Sequence, residues 1–278
     1  MKDGSFVIIG GDKRQIFLAS LLKEDGKKVH VCEFNDEIPS EINLKSEKLG
    51  DVIDKSNNII LPLPLSRDGR KVLFTDIELN ISFIEKIKNK KIFCGNKNSI
   101  KDISWQNLDL IDYAQNENFK ILNAEPTAEG TIKLLLENTD KTINNCSFLI
   151  TGFGRIGKIL SGMLKNFNAK IYINTKSEDD KTWAEIFGFK VIDLNSSKSL
   201  YFDFIINTVP ELIFSKSVLN KINKKCLIID LASIPGVDFE YAKKINIKTK
   251  HEFGIPGRFF PKTAAEIIKK IIYKYLEA

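Results

Sequence analysis

The chain has 278 residues, 43% hydrophobic and 28% charged, with a net charge of +6. That is the balance of a globular protein with material for two domains at roughly 100–200 residues each, and no apolar run approaches the ~20 residues that span a bilayer. The lysines are spread singly among Asp and Glu, without clustering beside aromatic residues, so the basic balance points to solvated faces and not to nucleic acid.

The first strand, Phe6–Ile9, begins almost at the first residue. No basic segment and apolar core precede it, so no signal peptide is read and a cytoplasmic protein is expected. Gly10-Gly11-Asp12 and a helix through Leu22 follow. Further strands are read at Val29–Cys32, Asn58–Leu61, Lys91–Cys94 and Phe119–Leu122. Residues 39–57 take no clear assignment, and Pro62, Pro64, Arg67 and Gly69 mark a loop. A linking helix is expected from Pro126, which suits a first turn because its missing N–H would be unpaired there anyway. Glu129 favours the positive end of that helix, and Ile132, Leu135 and Leu136 give it one apolar face.

A second set of elements is clearer. Strands are expected at Cys146–Thr151, Lys170–Asn174, Lys190–Leu194, Asp203–Asn207, Leu227–Leu231 and Ile247–Lys250, with helices over Arg155–Phe167 and Thr182–Phe187. This alternation of strand and helix predicts an α/β fold with parallel sheets. Thr263 and Glu266 have the spacing of a capping box for a last helix. Its face of Ala264, Ile267, Ile268, Ile271, Ile272 and Tyr275 is expected to pack back on the first domain. The domains are drawn as 1–125 with 258–278, and 126–257.

The four cysteines, Cys32, Cys94, Cys146 and Cys226, stand far apart in or beside apolar strand-like segments and read as buried core thiols. His30 and His251 have no metal-ligand spacing, so no metal site is expected.

The chemistry is carried by Gly152-Phe153-Gly154-Arg155-Ile156-Gly157. A GxGxxG between a strand and a helix is the dinucleotide-binding turn. The first glycine allows the tight turn, the second the approach of a pyrophosphate, and the third close packing of helix on strand. The next strand ends in Asn174-Thr175-Lys176-Ser177, with no carboxylate where an NAD site places one for the ribose 2′-hydroxyl. Lys176 attracts a 2′-phosphate, Thr175 and Ser177 can donate to it, and Arg155 can assist, so NADP is the expected cofactor. Later strand ends, Asn207-Thr208-Val209-Pro210 and Ala232-Ser233, are expected near the nicotinamide ribose. Arg14, Thr127, Arg258 and Lys262 are candidate substrate contacts, and Glu129 and Lys262 candidate catalytic groups.

Several signatures resemble the dipicolinate synthase A-subunit family of endospore-forming bacteria. They are Ile9-Gly10-Gly11-Asp12 with Arg14-Gln15, Pro126-Thr127, Glu129-Gly130-Thr131, the glycine loop, Asn207-Thr208 with Pro210, Asp230–Ser233, Pro256-Gly257 and Pro261–Ala264. Where this chain has Lys176 the family commonly has Arg, which would grip a phosphate as a fork and not as a point charge. The resemblance implies two Rossmann-like domains in the arrangement of D-2-hydroxyacid and alanine dehydrogenases, with a cleft between them. It implies NADP-dependent oxidation of a dihydrodipicolinate to dipicolinate, partnership with a flavoprotein-like B subunit, a homo-oligomer, and the mother cell of a sporulating bacterium. Two other readings of the residues stay open: an NADP-linked dehydrogenase of another hydroxy or amino acid, and a non-catalytic NADP-binding regulatory subunit.

Overall fold

The computed structural model describes residues 4–34, 38, 42, 44–100 and 102–277. Pro39, in the stretch without an assignment, lies outside them. The chain divides into two compact units, Met1–Asn123 with Pro256–Ala278, and Ala124–Ile255.

In the first unit the chain runs through β1 (Ser5–Ile9), α1 (Lys13–Glu24), β2 (Lys28–Cys32), β3 (Ser46–Glu47), α2 (Leu49–Val52), β4 (Asn58–Ile60), α3 (Ile81–Ile87), β5 (Lys91–Cys94) and β6 (Leu110–Asp112). The helix α4 (Glu117–Glu137) follows. The second unit continues with β7 (Ser147–Thr151), α5 (Arg155–Asn166), β8 (Lys170–Asn174), α6 (Glu178–Ile186), β9 (Lys190–Val191), β10 (Phe204–Asn207), α7 (Lys216–Leu219), β11 (Leu227–Asp230), α8 (Phe239–Lys244) and β12 (Lys248–His251). Two helices complete the chain, α9 (Ile255–Phe259) and α10 (Pro261–Glu277).

Each unit holds one six-stranded parallel sheet, ordered β3-β2-β1-β4-β5-β6 and β12-β11-β10-β7-β8-β9. Read from either end these are one topology, 3-2-1-4-5-6, with the direction of winding reversing between β1 and β4 and between β7 and β10. Ligands bind such sheets at that reversal, outside the carboxyl ends of the strands. The strands are continuous apolar runs because both faces are covered: all five residues of β1 are buried, as are all four of β10 and of β11. The α10 face forms one core with α1, in which Leu18, Leu22, Ile268, Ile271 and Ile272 are buried together.

All four cysteines are free and buried. Burial pushes the Cys32 and Cys94 thiols up to about 12, which keeps them protonated at neutral pH.

Three expectations are corrected. Phe119–Leu122 is not a strand but part of α4, and the sheet's edge strand is Leu110–Asp112, paired with β5 from Ile92 opposite Leu110. The Asn116 side chain starts the helix by accepting from the backbone N–H groups of Asn118 (3.0 Å) and Phe119 (3.3 Å). Phe119 and Leu122, one helical turn apart, then reach the same core. Pro126 consequently lies inside α4 and not in its first turn. Thr263 and Glu266 also lie inside a helix, because α10 already begins at Pro261, where proline's fixed φ suits the first helical position.

Ile271→Ala is expected to cost about 2–5 kcal/mol of stability, the usual range for truncating a fully buried side chain. Urea unfolding measures it, and an unchanged midpoint would contradict the burial of α10 against α1.

Candidate functional site

Both units make a glycine turn after their first strand, and the two turns are built for different ends. In the first unit the turn is sealed. Gly10 and Gly11 both have positive φ. A Cβ on Gly10 would collide with the Thr75 methyl, and one on Gly11 with the Gln15 side chain. Asp12 caps α1 by accepting from the Arg14 N–H (2.9 Å), while its own N–H donates to Gln15 Oε1 (3.1 Å). The Arg14 guanidinium, on a residue only 8% exposed, donates from Nε and Nη2 to the Asp12 carboxylate and from Nη2 to the Leu63 carbonyl.

In the second unit the turn is open. Gly152 has φ +86°, and a Cβ there would collide with Thr208 Oγ1. A Cβ on Gly157 would collide with the Gly152 carbonyl oxygen, so the third glycine is demanded by helix–strand packing. Around Gly154, by contrast, nothing among the described residues lies within 4 Å of an added Cβ. Gly154 is also the N-cap of the 12-residue α5, and no side chain caps it. The turn therefore leaves a helix N-terminus, with its partial positive charge, and open space in front of it. A diphosphate needs both.

The floor of this turn is a buried polar network across three strand ends. Thr151 Oγ1 on β7 donates to Asn207 Oδ1 on β10 (2.6 Å), and Asn207 Nδ2 donates to Asp230 Oδ1 on β11 (2.8 Å). The Asp230 carboxylate, fully buried, also accepts from the Ala232 N–H (3.1 Å) and the Gly236 N–H (2.6 Å). Asn207 further holds its own loop, donating to the Val209 carbonyl and accepting from the Val209 N–H. Thr208 Oγ1 donates back to the Thr151 carbonyl (2.8 Å). Asn207 thus serves the site from the core, while Thr208 and Val209 are half-buried and Pro210 is exposed. Ala232 is buried and Ser233 exposed after β11.

Lys176 and Glu211 form an ion pair of 2.7 Å at the rim, with side chains 82% and 62% exposed. Motif reading missed Glu211 because its partner lies 35 residues away. Ser177 caps α6, accepting from the Asp180 N–H, while Thr175 Oγ1 accepts from the Ser177 N–H. Arg155 is exposed, Ile156 half-buried and Gly157 buried in the first turn of α5.

The remaining candidates are divided between the units. Arg14, Arg258 and Lys262 belong to the first; Thr127 and Glu129 to the second. Gly257 packs against the Arg14 guanidinium so closely that a Cβ there would press on Nε. Arg258 covers the Phe259 ring at 4.8 Å, and Lys262 is exposed at the start of α10. Thr127 is buried, with its carbonyl accepting from Thr131 Oγ1 (2.8 Å), and Glu129 is exposed.

One residue not singled out by sequence stands at this rim. His251 ends β12, in register with Asp230 on β11. Its Nε2 lies 2.8 Å from the Ala232 carbonyl. Its ring contacts those of Phe239 and Phe253, with centroids at 5.6 and 5.4 Å. Among the described residues, no group of three or more His, Cys, Asp or Glu is arranged to hold a metal ion, and no helix is long and apolar enough to cross a membrane.

Residues 5–114 match the family model described as the N-terminal domain of the dipicolinate synthase A subunit. The chain is 28% identical to the dipicolinate synthase A subunit of Bacillus subtilis (strain 168), over 97% of this chain and 94% of that protein. Its structure superposes on the crystal structure of the dipicolinate synthase A subunit from Bacillus halodurans with a TM-score of 0.86, at 27% identity, covering 100% of this chain and 99% of that one. The apo structure of D-lactate dehydrogenase from Escherichia coli gives a TM-score of 0.65 at 12% identity, over 98% of this chain and 96% of that one, and shares the fold alone. The resemblance read from the sequence is therefore present in both sequence and fold, along the whole chain, and the parallel α/β fold is one that D-lactate dehydrogenase shares.

Asp230→Ala leaves one of the two Asn207 Nδ2 hydrogens and two backbone N–H groups buried without an acceptor. It is expected to cost roughly 2–5 kcal/mol, whereas Ser233→Ala on the surface stays within about 0.5 kcal/mol. Denaturant unfolding of both variants checks this; equal midpoints would contradict the network's role.

Proposed function

With the dipicolinate synthase A subunit related to this chain in both sequence and fold, we propose that the chain binds NADP on the Gly152–Gly157 turn and oxidises a dihydrodipicolinate to dipicolinate. The observation that carries the cofactor is the contrast between the two turns. Among the described residues nothing lies within 4 Å of a Cβ added at Gly154, and no side chain caps its helix, whereas Asp12 and Gln15 already fill the equivalent place in the first unit.

NADP⁺ held there would supply the hydride acceptor, and the dihydropyridine would become an aromatic pyridine by giving up that hydride from one ring carbon and a proton from the neighbouring one. The chain's own part is positioning. The N-terminus of α5 holds the diphosphate. Lys176, with Thr175, Ser177 and Arg155 beside it, receives the 2′-phosphate, and Lys176 leaves Glu211 to do so. Thr208, Val209, Pro210, Ala232 and Ser233 line the path of the nicotinamide ribose, on the floor that Asn207 and Asp230 hold. In the first unit Lys262 and Arg258 are the cations proposed for substrate carboxylates; in the second, Thr127 is a proposed hydrogen-bond partner and Glu129 a candidate proton acceptor. Arg14 contributes through Nη1, the guanidinium nitrogen that Asp12 and Leu63 do not take.

The relatives are named for one component of a synthase, which supports partnership with a second, flavoprotein-like B subunit. A cytoplasmic protein of the mother cell, assembled as a homo-oligomer, belongs to the same reading.

The Lys176–Glu211 pair favours one specific alternative. Glu211 puts a carboxylate beside the strand end, and a carboxylate there is what a ribose 2′-hydroxyl binds in an NAD site. Titration of the protein with each cofactor separates the two. NADP is expected to bind more tightly than NAD. Lys176→Ala should weaken NADP roughly tenfold, the worth of one charge-assisted hydrogen bond, and leave NAD nearly unchanged. Glu211→Gln should tighten NADP by up to about fivefold, the worth of an exposed ion pair. Tighter NAD binding by the unmodified chain would overturn the NADP assignment. No NADPH formed from dihydrodipicolinate, with or without the second component, would overturn the reaction.

A further inference from the structure

Aromatisation of the proposed substrate releases a proton as well as a hydride, and the site needs a group to take it. Glu129 is exposed on α4, and no hydrogen bond or ion pair among the described residues orients it. His251 is oriented, and it stands at the end of β12 beside the end of β11.

Three observations fix the His251 ring. A carbonyl oxygen can only accept, so the 2.8 Å contact with the Ala232 carbonyl makes Nε2 the donor and places its hydrogen there. The Phe239 and Phe253 rings pack against it, both tilted, with centroids at 5.6 and 5.4 Å. Nδ1 is then the basic nitrogen of the neutral ring, and no hydrogen bond occupies it among the described residues. A base whose second nitrogen is held by a fixed acceptor is the arrangement that general-base catalysis requires. Protonation at Nδ1 leaves the bond to Ala232 intact, so the ring can take a proton without moving.

Its position agrees with this role. β12 lies three strand spacings from β7, about 14 Å away, on the side of the glycine turn toward which β10 and β11 lead. Ala232, to which the ring is tied, follows the β11 end where the nicotinamide ribose is expected. The other histidine, His30, is spent in a pair with Glu47 at 2.8 Å in the first unit.

The geometry points to His251 as the proton acceptor of the oxidation: the substrate loses a hydride to NADP⁺ from one ring carbon, and a proton from the neighbouring carbon to His251 Nδ1, which becomes an imidazolium. This rests on the proposed function, and its test is chosen to read the two separately.

With only two histidines in the chain, ¹⁵N-histidine NMR resolves both, and His30→Gln assigns them. His251 is expected to carry its neutral-form proton on Nε2, and its Nδ1 resonance to shift when NADP⁺ and dipicolinate are added, with His30 unchanged. A proton on Nδ1, or a His251 resonance indifferent to both ligands, overturns the proposal whatever the activity. His251→Gln keeps a donor near the Ala232 carbonyl but lacks a base. It should lower turnover 10²- to 10⁴-fold, the range for a general base, with NADP affinity within about twofold of the unmodified chain. His251→Ala should regain turnover with added imidazole. Full turnover in His251→Gln also overturns the proposal. If the unmodified chain oxidises no dihydropyridine while the resonances behave as expected, the reaction assigned above fails and the placement of His251 in the ligand site stands.

Discussion

A buried carboxylate governs the second unit. Asp230 sits at the end of β11 with no solvent contact, and three donors converge on it: Asn207 Nδ2, the Ala232 N–H and the Gly236 N–H. A charge-bearing group in the interior is tolerated only when its acceptors are satisfied in this way. The consequence is mechanical. Asn207 is fixed by Asp230, Thr151 by Asn207, and Thr208 by Thr151, so three neighbouring strand ends and the loops that leave them are held in one arrangement. Gly236 must be glycine for this, since a Cβ there would collide with Asn207 Nδ2. Gly152 must be glycine for a related reason, because Thr208 closes on it from the same network. The openness in front of Gly154 is what remains once everything behind it is packed.

The two units show how one topology separates by a few side chains. Both place a glycine turn and a helix at the point where the sheet reverses its winding. In the first, the Asp12 cap satisfies the helix N-terminus, Gln15 folds over Gly11, and Arg14 spends its fork on Asp12 and the Leu63 carbonyl. Such a capping box stabilises a helix and removes the donors that an anion would use. In the second, the cap residue is a glycine, and the same donors are left for a ligand. Under the proposed function, helix stability is traded there for a binding place, which is how functional sites ordinarily depart from the local rules that the rest of a fold obeys.

Much of this was legible in the sequence, and the omissions have physical causes. Strands buried on both faces read as unbroken apolar runs, so β7, β10 and β11 announced themselves, and the spacing of three glycines between a strand and a helix identified the open turn. Phe119–Leu122 misled because four residues with apolar ends do not distinguish a strand from one turn of helix; the Asn116 cap decides it. Thr263 and Glu266 have the right spacing for a cap but sit behind Pro261, which starts the helix earlier. Lys176 was found as a charge, yet its partner Glu211 is 35 residues away, and no local pattern relates them. His251 was read only for metal-ligand spacing. Its relevance comes from a hydrogen bond to a carbonyl 19 residues earlier, on the neighbouring strand end.

The central claim is that one turn of the two is the dinucleotide site. Hydrogen–deuterium exchange of the protein with and without NADP tests it most directly, because it reads every backbone amide at once. Protection is predicted over residues 152–158, extending to 175–177 and 208–211, with residues 10–15 unchanged. Protection centred on residues 10–15, or none at residues 152–158 under saturating NADP, would contradict it.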